Sequence, residues 1–324
     1  MKALVVEQLT PDLSGLGVTE WPVPRRGVGE VLVRVKAASL NYPDLLMTRG
    51  TYQHEPQVPF VLGLEFAGDV IEADAGSGFA RGDRVMGGAK TGAFAEYAAL
   101  PATALRSIPS GLDHAQAAAL GAAYHTAYVA LVELGGLQAG QTVLVHGASG
   151  GVGLAACDLT KALGARVIAA THRDDKIEAL REAARPFAVI TNRGRFRDAI
   201  ARLTDGALCD LVFDPIGGDV FDESTRCVSF GGKLLVVGFV GGRIPHIAAN
   251  IPLIKGFSFV GVRAGEYTRR FPDRGKRVAE AVDALAREKR ITPRIDRIIH
   301  LDDWRAAFAA MENGDLVGKA VLVP

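Results

Sequence analysis

The N-terminal part of the chain consists of short apolar runs separated by turns that contain Pro and Gly. Runs rich in Val, Ile and Leu between such turns predict strands, because branched side chains fit a pleated, half-buried surface. Little helical periodicity interrupts this pattern before about residue 110, so a small, mostly β domain is predicted. Its strands are expected at residues 4–6, 18–19, 30–35, 66–71 and 84–86.

The pattern changes after Leu112 to that of an α/β protein. Residues 114–134 are rich in Ala, have helical periodicity and end at two glycines, which predicts a helix. From Thr142 onward, apolar runs alternate with helical segments, which implies a parallel sheet covered on both faces. The predicted strands are 143–145, 166–170, 187–190, 211–213, 234–237 and 256–262, and the predicted helices are 174–184, 195–203 and 219–228.

The C-terminal part mixes both patterns and is expected to return to the first domain. A polar helix is predicted at 273–289, a strand at 297–300, a second helix at 302–312 and a closing strand at 320–323.

The segment from Val143 to Lys176 has the order that a dinucleotide-binding fingerprint requires: strand, glycine turn, helix and strand within about 30 residues. Glycines let the chain turn tightly, let backbone approach a pyrophosphate and let the helix pack close to the sheet. On the usual G-x-G-x-x-G spacing the first glycine is replaced by alanine. The residues predicted to contact the nucleotide phosphates are Ala148, Ser149, Gly150, Gly151, Val152 and Gly153.

The end of the second strand indicates which nucleotide is bound. NAD enzymes usually carry Asp or Glu about 20 residues after the turn, where it accepts the ribose 2′-hydroxyl. Thr171 stands there instead, and Arg173 and Lys176 follow it and can attract a 2′-phosphate. NADPH is therefore the predicted cofactor. In the alternative interpretation, Asp174 and Asp175 cap the next helix and the cations are solvated.

Composition limits the possible classes of protein. The 324 residues are 48% hydrophobic and 23% charged, which is typical of a soluble protein with two domains. A net charge of +1 without a basic run argues against partners such as nucleic acid or an anionic membrane. No signal-peptide pattern or membrane-spanning apolar stretch is recognised. Three unpaired cysteines suit a reducing compartment, so a cytoplasmic location is expected.

Several motifs together resemble a known family. They are LNYPDLL at 40–46, GTY at 50–52, PFVLGLEFAG at 59–68, FDPIGG at 213–218 and VGKAVL at 317–322. With the glycine turn, they make the chain similar to medium-chain dehydrogenases/reductases of the quinone oxidoreductase branch, the NADPH-dependent group that includes zeta-crystallin. The resemblance implies a GroES-like, β-rich catalytic domain (1–118 and 266–324) beside a Rossmann domain with a doubly wound parallel sheet (119–265), and an active site in the cleft.

The same comparison predicts a protein without metal. The zinc alcohol dehydrogenases related to this branch have a Cys-His pair where this chain has Asn41 and Tyr42, and a His ligand where it has Leu64. A catalytic zinc needs three protein ligands, and two of the usual three are replaced. The four-cysteine structural lobe is absent too, since no cysteine precedes Cys157.

Without a Lewis acid, the predicted chemistry is hydride transfer to an acceptor that is already electrophilic, a quinone or an α,β-unsaturated carbonyl. The resemblance places Tyr52 beside the substrate, where its phenol could donate a hydrogen bond or a proton, and Asn41 toward the nicotinamide ribose or the substrate. The alternatives are an aromatic ring packed under a loop and a turn-forming Asn. Asp44 and Glu65 are interpreted as structural.

The remaining predicted site residues are cofactor contacts implied by the resemblance. Thr126 matches a threonine beside the nicotinamide, and Gly238, Phe239 and Val240 match backbone that meets the carboxamide. Lys319 could reach a phosphate or could be an ordinary surface lysine.

Three functions remain open from the sequence: a quinone reductase, a reductase of enones or enoyl thioesters, and an NADPH-binding structural or sensory protein with little turnover. A homodimer is expected in each case. The apolar strand predicted at 256–262 would be an aggregation hazard at a sheet edge unless it is paired, and the resemblance implies pairing across a two-fold axis.

Overall fold

The computed structural model describes residues 1–324 and divides them into two compact units. The first unit comprises Met1–Ala122 and Thr292–Pro324, and the second comprises Ala123–Ile291. The first unit is thus built from both ends of the chain and is rich in strands, whereas the second contains a parallel sheet with helices. The predicted architecture, a β-rich domain built from both chain ends and a domain with a doubly wound parallel sheet, is confirmed.

The strands and helices are numbered in chain order. The strands are β1 (Lys2–Val6), β2 (Leu16–Glu20), β3 (Glu30–Ser39), β4 (Phe60–Val61), β5 (Glu65–Ala73), β6 (Arg84–Gly88), β7 (Tyr97–Pro101), β8 (Leu105–Ser107), β9 (Thr142–Val145), β10 (Arg166–Thr171), β11 (Ala188–Thr191), β12 (Cys209–Asp214), β13 (Val228–Val236), β14 (Ser258–Gly261), β15 (Ile295–His300) and β16 (Lys319–Val323). The helices are α1 (Tyr42–Thr48), α2 (His114–Tyr128), α3 (Gly151–Ala162), α4 (Ile177–Ala184), α5 (Arg197–Leu203), α6 (Gly218–Ser224), α7 (Asn250–Lys255), α8 (Ala264–Arg270), α9 (Pro272–Arg287) and α10 (Trp304–Glu312).

The first unit contains two sheets. A small one has the order β2-β1-β4, and a larger one has the order β15-β16-β3-β5-β6-β8, with β7 also paired to β3. The long strand β3 shows why the larger sheet forms: buried Val31, Val33 and Val35 alternate with exposed Arg34 and Lys36. This two-residue period places one face of β3 on the core and the other in solvent.

Helix α1 is an element that the sequence pattern does not predict. It has only seven residues, too few for a helical period to stand out among strand signals. Its start is nevertheless well specified. Pro43 lies in the first turn, where its missing N–H costs nothing, and the Asp44 carboxyl group accepts the N–H of Asn41 at 2.8 Å.

The second unit is a six-stranded parallel sheet with the order β11-β10-β9-β12-β13-β14. From β9 the chain adds strands first on one side and then, from β12, on the other. Such a reversal leaves a crevice at the carboxyl ends of β9 and β12, which is where open α/β sheets bind ligands.

Several predicted elements of this unit have different bounds in the structure, and two of them show why. The helix predicted at 219–228 ends at Ser224, because Val228 already begins β13. The strand predicted at 256–262 is limited to Ser258–Gly261, because α7 precedes it and is terminated by Gly256, which adopts a left-handed conformation (φ +65°).

Residues 266–291 belong to the second unit, although the sequence prediction places them with the first. Helices α8 and α9 contribute Ala264 and Val278 to a small core that also contains Val129. The hydroxyl of Tyr267 donates a hydrogen bond to the Glu133 carboxylate at 2.6 Å. The apolar face of this helix pair is therefore buried against the chain that follows α2, and the boundary between the units lies at residue 291.

Helix α2 and the π-helical segment Val129–Leu134 that continues it form the only helix long and apolar enough to cross a membrane, with a mean hydropathy of 1.2. Over the most apolar 18 residues of this helix, 56% is buried inside the protein. An apolar helix with this much protein contact has the character of a core helix.

Candidate active site

The segment between β9 and α3 forms a tight turn at the carboxyl end of β9. Gly147 adopts the left-handed conformation (φ +57°), and its carbonyl accepts the N–H of Gly150 at 2.9 Å. Helix α3 begins at Gly151, so the N–H groups of its first turn have no acceptor within the helix. Ser149 and Val152 are half-buried at this end. The turn therefore offers backbone donors and a positive helix end to a phosphate.

Two small residues explain how the turn and α3 fit together. A Cβ atom at Gly153 would lie 2.1 Å from the carbonyl oxygen of Gly147, so only glycine allows this approach. Ala148 occupies the usual position of the first glycine, but the left-handed conformation belongs to Gly147, one residue earlier. Ala148 is fully buried and donates its N–H to Ala170 in β10 at 3.1 Å, so the alanine is accommodated without strain.

The end of β10 carries the residues predicted to choose the nucleotide. Thr171 is buried, and its hydroxyl oxygen accepts the N–H of Arg173 at 3.1 Å. The guanidinium of Arg173 donates to both carboxylate oxygens of Asp175, at 2.8 and 2.7 Å, and these bonds lower the pKa of Asp175 to about 2. Lys176 is only 5% exposed. Arg173 thus has an acidic partner that the sequence prediction did not include.

Arg193 is a further basic residue at this edge of the sheet, and the sequence analysis did not identify it. It follows β11, whose Thr191 pairs with Thr171. Its guanidinium donates to the carbonyl oxygen of His172 at 2.6 Å and to Asp174 at 3.2 Å. The parallel register is the signal that could have found it, because carboxyl ends of neighbouring parallel strands meet at one edge.

These basic residues act on one another. The pKa of His172 is lowered, first by burial and then by the positive charges of Arg173, Arg193 and Lys176. A neutral His172 leaves three cations at the carboxyl ends of β10 and β11. Asp174 and Asp175 form ion pairs with arginines, and neither caps the following helix with its side chain. The arrangement favours an anionic group at this position.

A buried histidine connects the glycine turn to the segment that carries Arg193. His146 lies directly before the turn, fully buried, with Nε2 2.8 Å from the hydroxyl of Ser224 and Nδ1 3.1 Å from the side-chain amide nitrogen of Asn192. The Ser224 hydroxyl donates to the Val220 carbonyl, so it accepts from Nε2, and Nδ1 accepts from Asn192. Burial lowers the pKa of His146 to about 3, which keeps the ring neutral.

The residues matched to the nicotinamide end lie on the second unit as well. Gly238, Phe239 and Val240 follow β13, and the Val240 N–H bonds to the Pro215 carbonyl at 3.1 Å. Asp214 ends β12 and accepts two backbone N–H groups of the next turn, so both strand ends are held in place. Phe239 and Val240 are 39% and 47% exposed. They are available for contact with a ligand.

Thr126 lies near the end of α2 and is half-buried. Its neighbours fix this part of the helix: the Tyr124 hydroxyl donates to Asp158 at 2.9 Å, and His125 bonds to Thr268 at 2.5 Å. The position of Thr126 is therefore set by the two anchored residues that directly precede it.

In the first unit, Asn41 belongs to a buried polar network. Its Oδ1 accepts the Lys319 ammonium at 2.7 Å, and its Nδ2 donates to Glu65 Oε1 at 2.9 Å and to the Ser39 carbonyl at 3.0 Å. Asn41 is 6% exposed. The alternative of a plain turn residue does not describe it, because both amide atoms have charged partners.

Lys319 is not a surface lysine, and its ammonium is bound to groups of the first unit. It is 7% exposed, and its ammonium donates to the Leu40 carbonyl at 2.7 Å as well as to Asn41, with Glu65 Oε1 at 3.5 Å. A lysine at the start of a strand is usually solvated, so no local pattern predicts this burial. Glu65, interpreted from the sequence as structural, is the counter-ion.

Asp44 lies next to this network and is fully buried. Burial raises its pKa to about 8; the N–H of Asn41 and the charge of Lys319 oppose that shift, and the charge of Glu65 adds to it. The carboxyl group is therefore mostly protonated at neutral pH. One of its oxygens, Oδ1, has no hydrogen-bond partner in the structure.

Replacing Asp44 by Asn should change how the free energy of unfolding depends on pH. Because the folded-state pKa is raised, the favourable contribution of Asp44 is complete below about pH 4 and is lost as the pH rises to about 8, by up to ~1.4 kcal/mol per pH unit. Asp44→Asn does not titrate. We expect the variant to gain stability relative to the natural protein across this window in denaturant titrations, while parallel pH profiles would contradict the assignment.

Tyr52 lies in the loop after α1, half-buried, with its ring against the core of the first unit. Its hydroxyl makes no hydrogen bond to another residue of the chain. Both interpretations of Tyr52 thus agree with the structure so far: the ring packs, and the phenol keeps its donor for a ligand.

The side chains at the former zinc positions do not form a metal site. Asn41 is bound to Lys319 and Glu65, and Leu64 has no donor atom. The chain contains no group of three or more His, Cys, Asp or Glu side chains placed to hold a metal ion.

Two family descriptions match the chain: an alcohol dehydrogenase GroES-like domain over residues 27–110 and a zinc-binding dehydrogenase over residues 151–284. A quinone oxidoreductase-like protein 2 homolog from Nematostella vectensis is 37% identical over 300 residues, which cover 91% of this chain and 82% of that protein. An acryloyl-coenzyme A reductase from Sulfurisphaera tokodaii is 29% identical and covers all of both chains.

Solved structures are also similar to this chain over its whole length. A probable oxidoreductase from Mycobacterium abscessus is 37% identical, with a TM-score of 0.90 and coverage of 100% of this chain and 99% of the other. A mycobacterial protein solved in complex with NADPH is 27% identical, with a TM-score of 0.90 and full coverage of both chains.

Proposed function

The chain belongs to the quinone oxidoreductase branch of the medium-chain dehydrogenases/reductases, and we propose that it is a metal-free, NADPH-dependent quinone reductase. The family makes it an oxidoreductase. The observation that carries the finer proposal is the filling of the former metal position by Asn41, which is bound to Lys319 and Glu65. A site built in this way lacks the ligands that polarise an alcohol and suits an acceptor that is electrophilic without them.

The second unit supports NADPH as the cofactor. The phosphate turn offers backbone donors at Gly151 and Val152, and Arg173, Lys176 and Arg193 supply positive charge where a 2′-phosphate would lie. NADPH would supply the hydride when bound. The chain's own contribution is to hold the nucleotide through these groups and to keep His146 neutral beside the turn.

The first unit contains two side chains that could interact with the acceptor. The phenol of Tyr52 can donate a hydrogen bond to the oxygen that gains negative charge, and such a donor stabilises that charge more in a protein than in water. Asn41, held by charged partners, would contact the nicotinamide ribose or the acceptor.

Loss of NADPH absorbance with a panel of acceptors tests this function. We expect turnover with several quinones. Turnover confined to enoyl thioesters would support the second candidate, a reductase of enones or enoyl thioesters, which is favoured by the full-length similarity to the acryloyl-coenzyme A reductase. NADPH binding without turnover of any acceptor would indicate a structural or sensory protein.

The purified protein is expected to contain no stoichiometric zinc and to keep its activity in chelators. The reason is the donor set: an amide already bound to Lys319 and Glu65, and Leu64 in place of a second ligand. Elemental analysis provides the measurement, and about one zinc per chain would contradict the expectation.

A cytoplasmic homodimer is also proposed, joined through β14. This strand is an unpaired edge of the six-stranded sheet. Large apolar side chains are exposed on or near it: Phe230 (87%), Leu253 (80%), Ile254 (72%) and Phe259 (49%). An apolar edge strand of this kind is normally covered, and pairing with a second copy about a two-fold axis would cover it.

Replacing Phe259 by Lys should disrupt this dimer, because a charge on an edge strand opposes pairing. Sedimentation at micromolar concentration should show a dimer for the natural protein and a monomer for Phe259→Lys. Phe187→Lys is the matched control, since Phe187 is similarly exposed (54%) beside β11 at the opposite edge. A natural protein that sediments as a stable monomer would rule the interface out.

A further inference from the structure

We propose that Lys319 is a positioning residue: its buried ammonium fixes the side chain of Asn41 in one orientation for the reaction. This inference rests on the function proposed above. Three segments meet in the first unit: the turn before α1, the start of β5 and the start of β16. They carry Asn41, Glu65 and Lys319, and the last lies 278 residues from the first.

The partners of Asn41 determine which way its amide points. An ammonium group can only donate hydrogen bonds, and a carboxylate can only accept them. Oδ1 must therefore face Lys319, at 2.7 Å, and Nδ2 must face Glu65, at 2.9 Å. Rotation of the amide by half a turn would place donor against donor and acceptor against acceptor. The second N–H is held by the Ser39 carbonyl at 3.0 Å, so the side chain has one stable orientation.

In this orientation Asn41 keeps some capacity to interact with a ligand. Both of its N–H groups are used, whereas the carbonyl oxygen has two lone pairs and only one is engaged by Lys319. The adjacent positive charge polarises that carbonyl. Asn41 can thus accept one hydrogen bond from a hydroxyl group of cofactor or acceptor, and Lys319 influences that bond without touching the ligand.

The charges of Lys319 and Glu65 are buried close together, so each one compensates the other. Lys319 and Glu65 are 7% and 5% exposed, with Nζ and Oε1 3.5 Å apart, and the other Glu65 oxygen accepts the Ala122 N–H at 2.6 Å. Burial lowers the pKa of Lys319, and the Glu65 and Asp44 carboxyl groups oppose this. Removing one of two buried opposite charges leaves the other uncompensated, whereas removing both is much less disruptive.

This difference separates a positioning role from a purely structural one. In Lys319→Met the side chain keeps its length and loses its charge, and we expect kcat with a quinone to fall at least about tenfold while the KM for NADPH stays unchanged. The variant should also unfold at a lower temperature. Adding Glu65→Gln removes the remaining charge, so the double variant should recover much of the thermal stability but none of the lost turnover.

Lys36→Met is the matched control, because Lys36 is an exposed lysine of the same sheet, with Asp69 3.9 Å away. It should leave both kcat and stability near those of the natural protein. Recovery of turnover together with stability in the Glu65→Gln/Lys319→Met variant would overturn the proposal, since Lys319 would then serve only to balance charge.

A double-mutant cycle with Asn41→Ala tests whether Lys319 acts through Asn41. We expect the effects of Lys319→Met and Asn41→Ala on kcat to be non-additive, the double variant being about as slow as the slower single one. Additive effects would overturn the proposal. If the natural protein reduces no acceptor, the proposed function fails, but the same cycle measured by thermal unfolding still reports whether the two side chains are coupled.

Discussion

Replacing Arg173 and Arg193 together by alanine is expected to weaken NADPH binding between about tenfold and a hundredfold and to leave NADH binding nearly unchanged. Charge-assisted hydrogen bonds to a phosphate contribute roughly 1.5–3 kcal/mol each. The side chains are 30% and 59% exposed, so solvent screening reduces each contribution. NADH lacks the 2′-phosphate and gains nothing from either arginine.

The single variants add detail to this prediction. Arg173 is shared with Asp175 and Arg193 with Asp174, so each phosphate contact would compete with an existing ion pair. We expect each single replacement to weaken NADPH less than the double one does. Because exposed charges are screened, the preference for NADPH should also decrease as the salt concentration rises.

Titration of both nucleotides by fluorescence or calorimetry measures the effect. Arg202→Ala is a suitable control, since Arg202 is exposed on α5 in the same unit and makes no ion pair. Equal affinity of the natural protein for NADH and NADPH, or an equal loss of both in the double variant, would show that these arginines do not recognise the 2′-phosphate.

The glycine turn between β9 and α3 could be predicted from the sequence because its determinants are local. Gly147 and Gly153 are needed for backbone geometry within a few residues, and the strand and helix around them follow from short apolar periods. Even the departure from the usual pattern at Ala148 has a local reason, since the left-handed residue is the preceding glycine.

The residues that the sequence did not reveal depend on contacts between distant segments. Arg193 reaches His172 only because β11 lies beside β10 in register, and Lys319 is buried only because β16 brings it to Asn41 and Glu65. No local pattern distinguishes such a lysine from a solvated one. Likewise, the periodicity of residues 272–287 predicts a buried face on α9 but not the surface against which that face packs.

The chemical role of Tyr52 likewise could not be predicted from the sequence alone. The family resemblance suggested a catalytic tyrosine, and the local pattern equally allowed a packing residue. The structure shows a half-buried ring against the core and a hydroxyl without a protein partner. A measurement must therefore separate the effect of the hydroxyl from that of the ring.

We expect Tyr52→Phe to lower the rate of acceptor reduction at least about tenfold without changing NADPH affinity. The substitution preserves the packing of the ring and removes only the donor that we propose faces the oxygen that gains charge. Loss of such a donor typically lowers the rate by about 10²–10³ where it is a main stabiliser of the developing charge, and by less where water can replace it. Tyr97→Phe is the matched control, since the Tyr97 hydroxyl in the same unit accepts a hydrogen bond from Arg34 at 3.2 Å.

The size of the effect should depend on the acceptor. The product of enone reduction must be both stabilised and protonated, whereas a reduced quinone is stable on its own, so the loss should be larger for an enone. Stopped-flow oxidation of bound NADPH separates this chemical step from product release. If Tyr52→Phe reduces both classes of acceptor at the rate of the natural protein, the phenol has no catalytic role, and Tyr52 serves only to pack the loop after α1 against the core.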